Sequence, residues 1–213
     1  MAVLAAGGCA AAPGPARPGT RVKALKGGRV STSFSRDGAG ALAMIESAEQ
    51  DEDFRLRKYT LYQKQLGRAG SIAVDGDTVR FLLITGDEES RDEETVSDPV
   101  VSGPTLFGHI YRNWDALMGG AEPTVRFAVL ERLETIGFTL RKDASAPGQV
   151  SIRMAAASPI IALGVDPIFI TFDATTKRLV RLRGRVPPKV EVNGELEAFD
   201  ARVEYRVSVP VYR

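Results

Sequence analysis

From about Arg29 onward, apolar residues recur at alternate positions in short segments, broken roughly every 8 to 12 residues by Gly, Asp, Asn or Pro. This is how successive β-strands read. The clearest segment is ARVEYRVSV, where Ala201, Val203, Tyr205, Val207 and Val209 share one face and Arg202, Glu204, Arg206 and Ser208 the other. TVRFAV groups Val125, Phe127 and Val129, and TIGFTLR groups Ile136, Phe138 and Leu140. Further strands are expected in AMIESAE, RLRKYTLYQKQ, TVRFLLI, VSIRM, IFITF and RLVRLRGRV, about nine in all, because each is rich in β-branched or aromatic residues. Asp75-Gly76 and Asn193-Gly194 tolerate positive φ at both central positions of a tight turn, so both are expected to be hairpin tips. The acidic run DEESRDEE, residues 87–94, has no Gly where a helical calcium loop needs one, and its like charges favour a solvated hairpin loop. SPIIAL, started by Pro159, is expected to be a short helical or irregular connection.

The period changes once. On a helical wheel Leu106, Phe107, Ile110, Tyr111, Trp114, Leu117 and Met118 occupy one arc of about 140°, and His109, Arg112, Asn113, Asp115 and Ala116 fill the rest. Pro104 suits the first turn and Gly119-Gly120 the exit, so residues 105–118 are expected to form one amphipathic helix. It contains the chain's only His and only Trp. The wheel puts His109 on the solvent side, about 120° from Asp115, so the two do not share a face as a base and its orienting carboxylate would. A hydrolase using His109 would need partners from distant segments, and a single His offers no repeated metal-ligand spacing. The stretch reads as a core helix, with no catalytic residue, cofactor or metal expected.

A basic face is the other candidate. Arg181, Arg183 and Arg185 alternate onto one side of their strand, and Arg202 and Arg206 line one side of the last. If those two strands are neighbours, the arginines form possible anion contacts for phosphates or carboxylates. Arginines on the solvent side of a sheet, paired with residues such as Glu204, are the ordinary alternative.

Composition narrows the class. At 213 residues, 44% hydrophobic and 26% charged with a formal charge of +1, the chain suits one ordinary globular domain and not a dedicated nucleic-acid binder. No run approaches the roughly 20 apolar residues of a membrane-spanning helix. The lone Cys9 rules out an internal disulfide framework and follows a short run of small apolar residues, with a Pro, Ala and Gly-rich stretch after it. MAVLAAGGCAAAPGPARPG resembles the lipobox of bacterial lipoproteins, although Ala6 stands where Leu is usual and no basic residue precedes the run. The resemblance implies lipidation at Cys9 and membrane attachment through that lipid, with residues 1–28 comprising a signal-like apolar segment, the Cys and a flexible tether, and a single globular β-rich domain at 29–213.

The segment YRNWDALMGGAEPTVRFAVLERLETIGFTLRKD resembles an uncharacterised family of Gram-negative envelope proteins in which a helix with an R-x-x-W-D-x-L motif precedes strands like these. VDPIFITFDATTKRLVRLRG is similar to a later part of the same family, and the likeness runs loosely from about Met44 to Tyr205. It implies compartment and architecture, not an activity. Antiparallel strands around one apolar helix are also similar to the periplasmic lipoprotein carriers, where an incomplete barrel wraps helices around an apolar cavity.

The expected fold is therefore α+β: a curved antiparallel sheet or incomplete barrel of about eight to ten strands wrapped around the amphipathic helix. The expected function is non-enzymatic binding in the periplasm by a membrane-anchored lipoprotein, with a soluble periplasmic or cytoplasmic protein as the alternative location. A lipid or other hydrophobic ligand would lie between helix and sheet, lined by Phe107, Ile110, Tyr111, Trp114 and Met118. The alternative is an envelope scaffold with a packed core and no ligand.

Overall fold

The structure is a computed structural model that describes the backbone of strands at residues 2–6, 19–25 and 28–36 and the chain throughout from residue 40 to 205. Cys9 and Arg206 lie outside the described residues. Strand β1 (Ala2–Ala6) is followed by a seven-strand meander: β2 (Gly19–Leu25), β3 (Gly28–Arg36), β4 (Leu42–Asp51), β5 (Leu56–Gln63), β6 (Arg68–Asp75), β7 (Thr78–Thr85) and β8 (Glu88–Thr95). After β9 (Val100–Val101) come two helices, α1 (Thr105–Arg112) and α2 (Trp114–Met118), then β10 (Thr124–Val129), β11 (Glu134–Asp143) and β12 (Gln149–Ala156). Helix α3 (Pro159–Ala162), β13 (Ile168–Asp173), β14 (Leu179–Val192) and β15 (Glu195–Tyr205) complete the described chain. β1 and β2 fall within the segment read as signal and tether.

The strands form two open sheets. One runs β2 to β8 in chain order, and the other has the order β1-β15-β14-β13-β12-β11-β10-β9. Every pairing is antiparallel except β9 with β10, so the β-rich, antiparallel expectation holds, but in two sheets in place of one. Two of the strands beyond the nine expected, β6 and β8, have a local cause. The hairpins β6–β7 and β7–β8 turn on Gly76-Asp77 and Gly86-Asp87, with Gly at positive φ in the first central position, a signal weaker than Asn-Gly. Residues 88–94 of the acidic run therefore lie in the edge strand β8, not in a loop. Its charged side chains, with Glu93 accepting from Arg80 at 2.7 Å, keep an exposed edge soluble. Asn193-Gly194 is the expected tip, positive in φ at both residues.

The helix is interrupted. Asn113 leaves helical geometry, and its side-chain amide donates to the His109 carbonyl at 2.8 Å, sharing that acceptor with the Asn113 N–H at 3.2 Å. Both pieces still bury the expected stripe. Leu106, Ile110, Trp114 and Leu117 pack with Val125, Phe138, Leu140, Ile152, Met154, Ile170 and Phe172 from the inner face of the larger sheet. A second core joins the smaller sheet to the first: Met44, Ala48, Leu56, Tyr59, Leu61, Ile72, Val79 and Phe81 meet Val100, Ala128 and Leu130. Leu130 comes so close to β6 that a Cβ on Gly70 would lie 2.9 Å from its methyl.

Gly103, just before α1, has φ +51, and a Cβ there would lie 2.7 Å from the Tyr59 ring and 2.8 Å from the Glu46 carboxylate. Strain and crowding act together at this point. Gly103→Ala is expected to cost about 2 kcal/mol or more in urea unfolding, whereas Gly194→Ala, at positive φ in open space, should cost about 1 kcal/mol. Equal midpoints for the two variants would contradict the close approach.

Candidate functional site

The register of the larger sheet lines up arginines from four strands. Arg141 of β11 faces Arg153 of β12, Arg153 faces Phe169 of β13, Phe169 faces Arg183 of β14, and Arg183 faces Arg202 of β15. At about 4.8 Å between strands, this row crosses roughly 19 Å of the outer surface. The Arg183 guanidinium stacks 4.5 Å from the centre of the half-buried Phe169 ring. Stacking holds the guanidinium plane while its N–H edges stay available in that plane. Among the described residues, no carboxylate lies within 4 Å of Arg141, Arg153, Arg181 or Arg183, while Arg202 donates to Glu204 at 2.6 Å. Two direct Arg–Arg pairs in one row oppose folding, since like charges across a strand pair repel.

Of the arginines singled out in the sequence, Arg183 is thus central. Arg185 donates to Asp200 at 2.9 Å, and Arg181 faces Glu204 one step along, its Nε buried without a hydrogen-bond partner. The β14–β15 pairing that the stripe required is present. Arg141, Arg153 and Phe169 were not singled out, because TLRKD and SIRM each show a single outward Arg and only register brings them together.

His109 is not on a solvent face. It is buried, 7% exposed, because the far side of α1 meets the β4–β5 connection: Gln50 donates to the Thr105 carbonyl at 3.4 Å, and Arg112 donates to the Asp53 carbonyl at 2.7 Å. That contact covers the side of α1 that carries His109, while Arg112 and Asp115 stay exposed. The Asn113 amide donates to His109 Nε2 at 3.3 Å, which leaves the proton on Nδ1. Burial, with Arg112 nearby, lowers the imidazole pKa to about 4. Asp115 points to water and pairs with Lys177 at 3.8 Å, so His109 and Asp115 do not meet.

The expected cavity residues divide. Ile110 and Trp114 lie inside the core, with Trp114 edge-on to Phe172 at 5.4 Å, and Phe107 and Met118 pack at its margin. Tyr111 faces Phe54 of the other sheet at 6.1 Å. Lys177 caps the Trp114 and Tyr111 rings at 5.4 and 5.8 Å. Its loop is shaped by Asp173, whose carboxylate accepts from the Thr176 N–H and hydroxyl and the Thr175 N–H and is held below the usual carboxyl range by them.

A second polar cluster lies between the sheets. The Tyr59 hydroxyl donates to Glu46 at 3.0 Å, and burial followed by the Glu46 charge raises the pKa of both Tyr59 and Tyr205. Neither phenol is poised to ionise near neutral pH. Among the described residues, no group of three His, Cys, Asp or Glu is placed to hold a metal ion.

The repulsion within the row predicts that Arg153→Gln raises stability by up to about 0.5 kcal/mol at low ionic strength, read as a higher urea midpoint that converges with wild type as salt is added. His109 predicts the opposite sense with acid. Its unfolded imidazole takes up a proton near pH 6.5 and the folded one only near 4, so stability is full above the window and falls as pH drops through it, by up to about 3 kcal/mol. NMR titration of the single imidazole should give a midpoint near 4, and His109→Gln should lose less stability than wild type between about pH 7 and pH 5. Compared with known proteins, the chain matches no family model, no curated protein and no solved structure, so its function is argued from these surfaces and cores.

Proposed function

We propose that this chain is a non-enzymatic cell-envelope protein that binds an anionic partner across the arginine row, with its interior filled by its own side chains. The observation that carries the reading is the two cross-strand Arg–Arg register pairs, Arg141 opposite Arg153 and Arg183 opposite Arg202, on either side of an aromatic ring that the Arg183 guanidinium overlies. An anion bridging adjacent guanidinium groups turns a repulsive arrangement into charge-assisted hydrogen bonds.

The larger sheet reaches the smaller one at two places. Leu130, beyond β10, meets Gly70, and the Pro187 carbonyl in β14 accepts from Gln63 at 3.1 Å. This supports reading the larger sheet as an incomplete barrel around α1 and α2. A lipid between helix and sheet would have to displace Ile110, Trp114 and Leu117, which favours the packed scaffold over the hydrophobic-ligand carrier. A non-catalytic reading agrees with the neutral His109 held by Asn113 and with Asp115 engaged elsewhere. The envelope location rests on the lipobox-like Cys9 and on the resemblance of the Trp114 helix and the strands after it. Lipidation at Cys9 would remove residues 1–8, strand β1 included, leaving β15 as the outer strand.

Chromatography on heparin, a generic polyanion, tests the row. Wild type should be retained and elute with salt, and Arg153→Gln with Arg183→Gln should elute markedly earlier. The control double variant Arg57→Gln with Arg80→Gln removes the same charge from the other sheet and should elute with wild type. Equal shifts for the two double variants would mean that net charge alone governs retention and would sink the proposal.

A further inference from the structure

Resting on that reading, we propose that the anionic partner is a lipid bilayer surface, which the arginine row meets electrostatically while Ile160 and Leu163 insert among the lipids. The second observation is the α3 connection. Ile160 is 82% exposed and Leu163 90%, both on one short turn, while Ile161 between them packs inward against the core. Residues 157–165 carry no charge. This turn joins β12 to β13, the strands that hold Arg153 and Phe169. At about 3.3 Å per residue, Arg153 lies only about 10 Å from the end of β12, and Phe169 follows the first residue of β13. An uncharged aliphatic protrusion beside a row of arginines is the arrangement that interfacial attachment to an anionic bilayer requires, apolar insertion adding to headgroup attraction.

Charge separates this turn from the other exposed apolar pair. Val192 and Leu196 flank the β14–β15 hairpin tip, but Glu191, Glu195 and Glu197 surround them, and anionic headgroups would repel that tip. A protein partner is the weaker match. Two protruding side chains supply far less than the roughly 800 Å² per partner of a stable protein interface, and they form a knob where a partner's side chain would need a pocket.

The test is flotation of the full chain with phosphatidylcholine vesicles, with and without phosphatidylglycerol, run beside the heparin column. Wild type should float only with the anionic vesicles. Ile160→Ser with Leu163→Ser changes two exposed positions, so it should fold normally, keep heparin retention and lose about tenfold or more in vesicle partitioning. Arg153→Gln with Arg183→Gln should lose both. Flotation with both vesicle types alike, or anionic binding untouched by the Ile160 and Leu163 changes, overturns the insertion proposal. Heparin retention through the row without flotation also overturns it and points to a soluble polyanion or an acidic protein. Failure on heparin and on vesicles together overturns the anion-binding reading beneath it.

Discussion

The structure depends on the antiparallel register of β11 to β15. That register places Ile152, Ile170, Leu182 and Val203 side by side facing the helices, and one residue along each strand it places Arg153, Phe169, Arg183 and Arg202 side by side facing out. A slip by one residue in any pair would bury a guanidinium and expose an isoleucine or leucine. Burying an unpaired charge costs several kcal/mol, and each aliphatic side chain exposed costs about 1.5–3 kcal/mol more. The core thus enforces the arginine row: the sheet cannot relieve the Arg–Arg repulsion by shifting, only by a counter-charge, which Glu204 supplies to Arg202 at 2.6 Å. The neighbouring row shows what relief looks like, since Arg185 there faces and bonds Asp200.

The smaller sheet then has a structural role that its exposed, charged edge would not suggest. It closes over α1 through several unlike contacts. The Glu46 carboxylate stands near Gly103, at the positive end of α1, and accepts from Tyr59. Gln63 and Gln65 donate to the Pro187 and Lys189 carbonyls, and Gln65 accepts from the Lys189 N–H, where the register shift in β14 frees those groups from the ladder. Leu130 fills the gap above Gly70. The polar contacts satisfy groups that would otherwise be buried unpaired, and the apolar ones supply the area. Burial against the smaller sheet explains the neutral His109, whose one side-chain partner is the Asn113 amide at the end of its own helix.

Much of this was legible in the chain, unevenly and for definable reasons. Alternation located β10, β11, β13 and β15, because their inner positions are large and their outer ones polar. It missed, among others, β6, where Gly70 leaves the room that Leu130 fills, and β8, whose charges belong to an edge. The helical wheel found the buried stripe but assumed one covered side, so it placed His109 in water and could not foresee that Asn113 would interrupt the helix. The arginines of β14 were visible as an alternating set, and Arg202 as a neighbour. Arg141 and Arg153 were not, since each is alone in its strand and becomes part of a row only through the long-range register.

The contrast between interior and surface bears on what such a protein does. Around the helices, Trp114, Phe172 and Phe138 interlock with aliphatic residues from six strands. On the outer face, four arginines are set in line, two pairs of them in direct opposition, around an aromatic ring that would be better covered. A sequence free to optimise stability would replace one member of each pair by Glu or Thr, converting repulsion to attraction at no cost to the core. Arg202 is compensated inside the molecule by Glu204 at 2.6 Å, whereas Arg141 and Arg153 have no carboxylate within 4 Å among the described residues, and an uncompensated break of a local rule marks a candidate binding surface. The exposed Ile160 and Leu163, at the end of the same strands, break the rule for apolar residues in the same place, and one surface that supplies both negative charge and hydrocarbon resolves both at once.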